Sequence, residues 1–242
     1  MKVAFIGLGV MGYPMAGHVK NAGIDVCVYN RTEAKARKWC DEYEGDMAPT
    51  PAEAIRGCDV VLVCVGNDND VTEVILGDNG CLGPMEDGAI LIDHTTASAK
   101  LARHLYQTAK GQGKHFLDAP VSGGQAGAEN GALTVMIGGE QDVYEEAKPV
   151  IDTYSKFNKL LGPAGNGQLA KMCNQICIAG VVQGLAEALN FAMKTGLNGE
   201  DLIETISKGA AGSWQMDNRY KTMLADEYEF GFAVDWMRKD LG

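Results

Sequence analysis

The sequence has 242 residues, of which 46% are hydrophobic and 22% charged, and its net charge is −11. At ~150 residues per domain this length allows one large domain or two modest ones, and the composition argues against a disordered chain. The acidic balance argues against a nucleic-acid-binding protein, because phosphate contacts need clustered Lys and Arg.

The cysteines point to a reducing compartment. There are seven of them, an odd number, without any CxxC pair, and no histidine stands near Cys173 and Cys177 to complete a metal site. We therefore expect buried free thiols, a cytoplasmic protein and no bound metal. The longest stretch without charged residues, Val3 to Val19, contains four glycines and Pro14. It is too broken to cross a membrane, so we expect no membrane partner.

The first part of the chain alternates short apolar runs with amphipathic stretches, which predicts βαβ units around a parallel sheet. The predicted strands are Lys2–Ile6, Asp25–Tyr29, Val60–Val65, Ala89–Asp93, His115–Asp118, Leu133–Ile137 and a short last strand at Lys159–Leu161. Predicted helices lie between them, including Thr32–Tyr43, with Thr32 as its cap, and Gln141–Ser155.

After Gly162-Pro163 the pattern becomes helical. A helix over Gly167–Thr195 would run ~40 Å, long enough to link two domains, and Gly196 supplies its stop. Further helices are predicted at Gly199–Lys208, Trp214–Ala225 and Phe232–Leu241. The last four residues carry neither a cap nor a polar tail, so we expect the natural chain to continue.

The first predicted strand runs directly into a GxGxxG pattern that precedes a helix. In this context Gly7 makes the tight turn, Gly9 lets the backbone approach a pyrophosphate, and Gly12 lets the helix pack on the strand. The residues predicted to bind the cofactor here are Gly7, Leu8, Gly9, Val10, Met11 and Gly12. We therefore predict an α/β protein: a Rossmann-type dinucleotide-binding domain over residues 1–162 and an all-α substrate and dimerisation domain over residues 163–242.

The end of the second predicted strand bears on cofactor choice. It reads Asn30-Arg31-Thr32, with no acidic residue to bind the ribose 2′-hydroxyl of NAD. An arginine suits the 2′-phosphate of NADP and can stack on adenine. The sequence favours NADP and leaves NAD open.

Two further segments carry a family resemblance. One is Asp118-Ala119-Pro120-Val121-Ser122-Gly123-Gly124, and the other runs from Gly165 through Lys171 to Gln175. Together with the glycine loop and Lys239-Asp240-Leu241, they resemble the β-hydroxyacid dehydrogenases, a family that includes 3-hydroxyisobutyrate dehydrogenases. The resemblance covers essentially the whole chain. It implies oxidation of a small β-hydroxy acid to its semialdehyde with NADP or NAD, or the reverse.

The residues make chemical sense without the family. Ser122, Gly123 and Gly124 offer a hydroxyl and unobstructed amides for a substrate carboxylate. Lys171, Asn174 and Gln175 stand at i, i+3 and i+4 and so share one helix face. A lysine beside two amides on an otherwise apolar helix suits proton transfer with the substrate hydroxyl.

The resemblance assigns that proton transfer to Lys171 and makes Asn174 and Gln175 substrate orienters. It also implies that Thr96 lies near the nicotinamide and that Lys239 reaches back to the active site. Val65-Gly66 stands where the family commonly has Leu-Pro, which leaves backbone contacts to the cofactor possible there.

Residues near the end of the sequence suggest a small substrate pocket. Trp214 follows a Gly/Ala-rich turn and is free to lean toward the substrate, although core packing is an equal alternative. The resemblance places Trp214 opposite the nicotinamide, together with Asp240, and we expect Tyr220 to help close the pocket. Asp240 would accept an amino or hydroxyl group, so serine-like substrates belong beside 3-hydroxyisobutyrate.

Two alternatives stay open. An imine reductase uses the same scaffold but usually lacks the lysine that stands here at Lys171. A non-catalytic dinucleotide-binding or chromatin-associated module would replace that lysine and carry a basic arm. We further expect a homodimer or homotetramer, since long domain-spanning helices commonly pair subunits.

Overall fold

A computed structural model describes residues 1–228 and 234–241. The chain divides into two compact units, Met1–Lys171 and Met172–Gly242. The division lies within the long helix that was predicted from the sequence. The domain boundary placed at residue 162 from the sequence stays a prediction.

The first unit is built on a six-stranded parallel sheet. Its strands are β1 (Lys2–Ile6), β2 (Asp25–Tyr29), β3 (Asp46–Met47), β4 (Val60–Val63), β5 (Ile90–Asp93) and β6 (His115–Asp118). They are ordered β3-β2-β1-β4-β5-β6. This is the strand order of a Rossmann fold, in which ligands bind at the carboxyl ends of the strands where the order reverses. The predicted fold is confirmed.

Helices cover both faces of this sheet. They are α1 (Gly12–Asn21), α2 (Glu33–Tyr43), α3 (Pro51–Ala54), α4 (Asp68–Leu76), α5 (Ala99–Gly111), α6 (Gly124–Glu129) and α7 (Gln141–Ile151). Successive residues of β1 alternate between two cores: Val3 and Phe5 pack in one, Ala4 and Ile6 in the other. Burial on both faces explains why the strands read as continuous apolar runs.

A second, three-stranded sheet follows, formed by β7 (Val121–Ser122), β8 (Leu133–Ile137) and β9 (Ser155–Leu160). It corrects the prediction of a helix through Ser155. The helix ends at Ile151, because the backbone from Ser155 onward pairs in parallel with β8. The short strand predicted at Lys159–Leu161 is part of β9.

The described residues of the second unit are helical. The long helix α8 (Asn166–Thr195) enters this unit and is followed by α9 (Gly199–Ile206), α10 (Trp214–Leu224) and α11 (Val234–Leu241). A small core of Leu185, Leu189, Ile203 and Met216 holds α8, α9 and α10 together. The predicted start of the last helix at Phe232 lies outside the described residues.

Much of the apolar surface of α8 is exposed. Ile176 and Phe191 are each 65% exposed, and Leu169 and Met193 are about half exposed. By length and hydropathy alone α8 is also long and apolar enough to cross a membrane, a weak test that core helices of soluble proteins pass as well.

Candidate active site

The glycine loop lies at the carboxyl end of β1, where the sheet order reverses. Gly7 has φ +100°, and a Cβ on it would collide with the carbonyl oxygen of Cys64. A Cβ on Gly12 would collide with the Gly7 carbonyl, whereas no atom of the described residues lies within 4 Å of a Cβ built on Gly9. The backbone therefore packs closely on other protein atoms at Gly7 and Gly12, whereas the space beside Gly9 is open. This suits the approach of a dinucleotide pyrophosphate to the start of α1.

Asn30 ties the glycine loop to the end of β2. Its Oδ1 accepts a hydrogen bond from the Leu8 amide at 2.9 Å, and its Nδ2 donates to the carbonyl of Thr32 at 3.0 Å. Thr32 does occupy the N-cap position of α2, but in the described structure its hydroxyl makes no capping hydrogen bond, contrary to prediction. The exposed Arg31 stands between them, and its Nη1 lies 3.4 Å from Oδ1 of Asp70.

A hydrogen-bonded relay fixes the loop after β4. The Val65 amide donates to Oγ1 of Thr95 at 3.0 Å, and the Thr95 amide donates to Oδ1 of Asp93 at 2.9 Å. Asp93 is fully buried, and burial, with a smaller contribution from the neighbouring Asp118, raises its pKa to about 7. Gly66 follows Val65 in the chain, and the half-buried Thr96 follows Thr95. The relay therefore holds in place two segments predicted to bind the cofactor.

Two buried polar side chains anchor the N-terminus of α8. The carboxylate of Asp118 accepts hydrogen bonds from the amides of Gly165 at 2.7 Å and Gln168 at 2.9 Å. The Gln168 side chain donates to the carbonyl of Thr95 at 2.7 Å and accepts from the amide of Ala97 at 3.0 Å. A carboxylate at this end of a helix satisfies free amides and opposes the positive end of the dipole. The start of α8 is thus bound to the ends of β5 and β6.

This anchoring places Lys171 next to the Ser-Gly-Gly segment. Lys171 is 8% exposed, and its Nζ donates a 2.9 Å hydrogen bond to the carbonyl of Val121, which immediately precedes Ser122. Gly123 and Gly124 have φ +140° and +61°, backbone conformations that favour glycine. α6 begins here, so the first amides of a helix follow the Ser122 hydroxyl. The structure therefore brings together the predicted proton-transfer group and the predicted carboxylate cradle.

In the second unit four predicted residues form one polar cluster. Asn174 Nδ2 donates to Oε1 of Gln175 at 2.9 Å, and Gln175 Nε2 donates to Oδ2 of Asp240 at 2.6 Å. Lys239 Nζ lies 2.9 Å from Oδ1 of the same carboxylate. Gln175 and Asp240 are both buried.

Trp214 and Tyr220 contact other residues of the second unit. Trp214 is 54% exposed, and the Arg219 guanidinium lies 5.3 Å from its ring centre. Core packing, the alternative weighed for Trp214, does not describe this position. Tyr220 is half-buried and packs against the helical core around Met216.

His94 is a structural residue. One ring nitrogen, Nδ1, lies 2.7 Å from the carbonyl of Ala119 and must donate to it, so Nε2 accepts from the Tyr154 hydroxyl at 3.0 Å. Complete burial lowers the pKa of His94 to about 4. A neutral imidazole with both nitrogens bonded to the protein is not poised as a general base.

The described residues contain no group of three or more His, Cys, Asp and Glu able to hold a metal ion. Cys27, Cys58 and Cys81 are buried free thiols, as predicted. Cys173 and Cys177 are exposed, contrary to prediction, because they lie on an uncovered face of α8.

Sequence reasoning missed the supporting residues. Asp118 and Gln168 stand inside the motifs quoted above, but their hydrogen bonds join residues 47 to 73 positions apart. The signal was an acid at a strand end, directly before Ala-Pro. The Asp70 carboxylate near Arg31 was also missed, since nothing in the local pattern connects them.

Two family models match the chain in succession. The NAD binding domain of 6-phosphogluconate dehydrogenase matches residues 2–176, and the NAD-binding domain of NADP-dependent 3-hydroxyisobutyrate dehydrogenase matches residues 165–242. Among individual proteins, an uncharacterized oxidoreductase of Shewanella frigidimarina is 63% identical over 100% of this chain and 83% of its own length. The mitochondrial 3-hydroxyisobutyrate dehydrogenase of Mus musculus is 31% identical over 99% of this chain and 73% of its own length.

Solved structures agree with the family models. The 3-hydroxyisobutyrate dehydrogenase of Salmonella typhimurium superposes with a TM-score of 0.90 at 27% identity, over 100% of this chain and 85% of that one. The 3-hydroxyisobutyrate dehydrogenase of Mycobacterium tuberculosis, described with L-serine, gives a TM-score of 0.86 at 29% identity, over 100% and 84%.

Proposed function

The chain belongs to the 3-hydroxyisobutyrate dehydrogenase-like family of β-hydroxyacid dehydrogenases and is an NAD(P)-dependent oxidoreductase; from that premise we propose that it interconverts a small β-hydroxy acid and its semialdehyde. The observation that carries the proposal is the buried Lys171, whose Nζ is hydrogen-bonded to the carbonyl directly before Ser122. An ammonium or amine held beside a carboxylate cradle is the arrangement this reaction needs.

The glycine loop fits the cofactor. Its closed turn at Gly7 and open backbone at Gly9 would receive the pyrophosphate, and Asn30 braces the loop from β2. The segments Val65-Gly66 and Thr96, held by the Thr95 relay, would line the remaining length of the dinucleotide. A dinucleotide held by these residues would supply the hydride acceptor or donor for the substrate carbon.

Lys171 moves the proton. In the oxidative direction its unprotonated Nζ takes the proton of the substrate hydroxyl as the hydride leaves the same carbon, which yields the carbonyl group. In the reductive direction its ammonium returns that proton to the forming alkoxide. The Val121 carbonyl orients Nζ, and the anchored N-terminus of α8 fixes the lysine backbone. General acid–base catalysis of this kind contributes typically ~10²–10⁴-fold to rate.

We assign substrate binding to polar groups of both units. Ser122 and the amides of Gly123 and Gly124 suit the substrate carboxylate. Asn174 and Gln175 follow Lys171 by three and four residues on the same helix and suit the orientation of the hydroxyl. The buried Asp240, already an acceptor for Gln175, would take an amino group, which includes L-serine among the candidates. The relative from Mycobacterium tuberculosis, described with L-serine, supports testing it.

NADP is the cofactor that we favour, and NAD is the alternative. The support is the exposed Arg31 at the end of β2, since a guanidinium binds a 2′-phosphate through paired charge-assisted hydrogen bonds. No acidic residue stands among positions 29 to 32 to select NAD.

A second copy of this chain is the partner that we propose. The exposed apolar side chains of α8, such as Ile176 and Phe191, would be covered in a homodimer or homotetramer. Light scattering coupled to size exclusion tests this, and a monomer at micromolar concentration would overturn it. A cytoplasmic location stays a prediction.

A substrate screen tests the proposed function. Purified protein is assayed in both directions with C3 to C6 β-hydroxy acids, their semialdehydes and L-serine, each with NADP and NAD. Turnover of a three- or four-carbon substrate supports the proposal. Cofactor binding without turnover of any hydroxy acid would contradict it, and turnover of cyclic imines alone would indicate an imine reductase.

A further inference from the structure

An acidic side chain faces the arginine predicted to read the cofactor phosphate. Nη1 of Arg31 lies 3.4 Å from Oδ1 of Asp70. The two residues stand 39 positions apart, Arg31 in the loop after β2 and Asp70 in the first turn of α4. The side chain of Arg31 is 87% exposed and that of Asp70 is 31% exposed, so both are accessible to a ligand.

The backbone under both residues is fixed. Asn30 holds the Arg31 loop through its hydrogen bonds to the Leu8 amide and the Thr32 carbonyl. At the other side, Oδ1 of Asn67 caps α4 by accepting from the amides of Asn69 and Asp70, at 2.9 and 3.0 Å. An acid in the first turn of a helix is also favoured by the helix dipole. These hydrogen bonds hold the backbone of both segments and so keep the Asp70 carboxylate within reach of Arg31.

The nearby Arg37 forms an ion pair of a different kind. Arg37 in α2 is paired with Glu33, one turn earlier on the same helix, at 2.5 Å. Arg31 pairs instead across two elements, and at the longer distance of 3.4 Å. A weak, exposed ion pair of this kind can be displaced by a stronger anion.

We propose that Asp70 is a specificity-determining residue for the dinucleotide, whose carboxylate competes with the 2′-phosphate of NADP for the guanidinium of Arg31. The inference rests on the proposed function, because it concerns the cofactor of that same site. A 2′-phosphate must displace Asp70 from Arg31, whereas the 2′-hydroxyl of NAD leaves the pair intact. Asp70 therefore reduces the preference for NADP over NAD that Arg31 alone would give, and it does so by weakening NADP binding.

Equilibrium binding tests the proposal without relying on turnover. Dissociation constants for NADP⁺ and NAD⁺ are measured by calorimetry at low ionic strength for the wild-type protein, Asp70→Asn, Arg31→Ala and the double variant. Asp70→Asn should tighten NADP⁺ by about twofold to fivefold, the range that exposed ion pairs contribute, and leave NAD⁺ unchanged. The gain should vanish in the Arg31→Ala background and shrink at high salt. Asp78→Asn is the matched control: it removes an equal charge from an exposed acid just beyond the end of α4, and both constants should stay at wild-type values.

Three results would overturn the inference. Weaker NADP⁺ binding in Asp70→Asn would show that the carboxylate orients Arg31 for the phosphate. A gain that persists in the double variant would show that Asp70 acts on the phosphate without Arg31, and an equal gain in Asp78→Asn would show an effect of net charge. Failure of the proposed function is a different outcome: the substrate screen decides the reaction, whereas the dissociation constants decide the role of Asp70 whether or not any hydroxy acid turns over.

Discussion

Gln175 and Asp240, 65 residues apart in the chain, are joined by a 2.6 Å hydrogen bond from Nε2 to Oδ2. Both side chains are buried, and Lys239 is an ion-pair partner of the same carboxylate. A buried carboxylate held by two such partners is fixed in position as an acceptor. The last described helix is thereby linked to α8 by a polar contact, in addition to any apolar packing.

The Asp240 carboxylate should matter most for substrates with an amino group. Asp240→Asn keeps the size of the side chain but removes the charge that an ammonium group would contact. We expect kcat/KM for L-serine to fall about tenfold or more, as for the loss of a charged hydrogen bond, and kcat/KM for 3-hydroxyisobutyrate to fall less. The control is Asp235→Asn, an exposed acid on the same helix. Equal losses for both substrates would show that Asp240 does not contact the amino group.

The close packing at the start of α8 predicts opposite effects for two Gly→Ala changes on one helix. A Cβ on Gly167 would lie 2.5 Å from the carbonyl oxygens of Asp118 and Met136, whereas none of the described atoms lies within 4 Å of a Cβ on Gly180. Gly167→Ala should destabilise the protein by about 1–3 kcal/mol, the usual cost of overpacking. Gly180→Ala should stabilise it by up to about 1 kcal/mol through helix propensity. Denaturant unfolding measures both, and equal effects would argue against a rigid anchor at Asp118.

His94 should make stability fall in mild acid. Its pKa is about 4 in the folded protein because the ring is buried, against about 6.5 when unfolded. Between these values the unfolded chain binds a proton that the folded chain does not, so the free energy of unfolding decreases as pH falls from about 6.5 to 4. Relative to the non-titrating His94→Gln, the wild-type advantage should shrink by about 3 kcal/mol over this window. A pH-independent difference would mean that His94 titrates normally in the fold.

Trp214 should control substrate size without supporting the fold. Because its side chain is 54% exposed, Trp214→Ala should leave the melting temperature nearly unchanged. We expect it to lower kcat/KM for three- and four-carbon hydroxy acids and to relax the exclusion of longer ones, as measured with a chain-length series. Met216→Ala, two residues further on in the helical core, should lower the melting temperature instead. An unchanged substrate ranking in Trp214→Ala would place the pocket elsewhere.

Local sequence patterns predicted the first and last residues of several strands and helices. β1, β2, β6 and β8 have the predicted bounds, and α8 begins one residue early. The end of α7 was missed because pairing with β8, a contact at long sequence separation, decides where β9 begins. Glycine positions in the cofactor loop were also readable, because a turn restricts residue type directly.

The sequence predicted only those residues of the candidate site that could be named from a recognisable motif. Lys171 and Ser122 could be named from their sequence neighbours, but their connection passes through Val121, 50 positions before the lysine. The anchors Asp118 and Gln168 act through tertiary hydrogen bonds, and the local sequence does not show which distant residues these bonds join. The same holds for Asp70, which meets Arg31 only because α4 starts beside the end of β2.

Single-turnover kinetics of Lys171→Met shows whether Lys171 transfers the proton. Methionine keeps the buried stem but has no ammonium group, and Lys100→Met on the exposed first turn of α5 is the matched control. If Lys171 does so, hydride transfer should fall by about 10²–10⁴-fold in Lys171→Met, while the dissociation constants of NADP⁺ and NAD⁺ should stay within about twofold of wild type. A hydride-transfer rate close to that of the wild-type and Lys100→Met proteins would contradict this role.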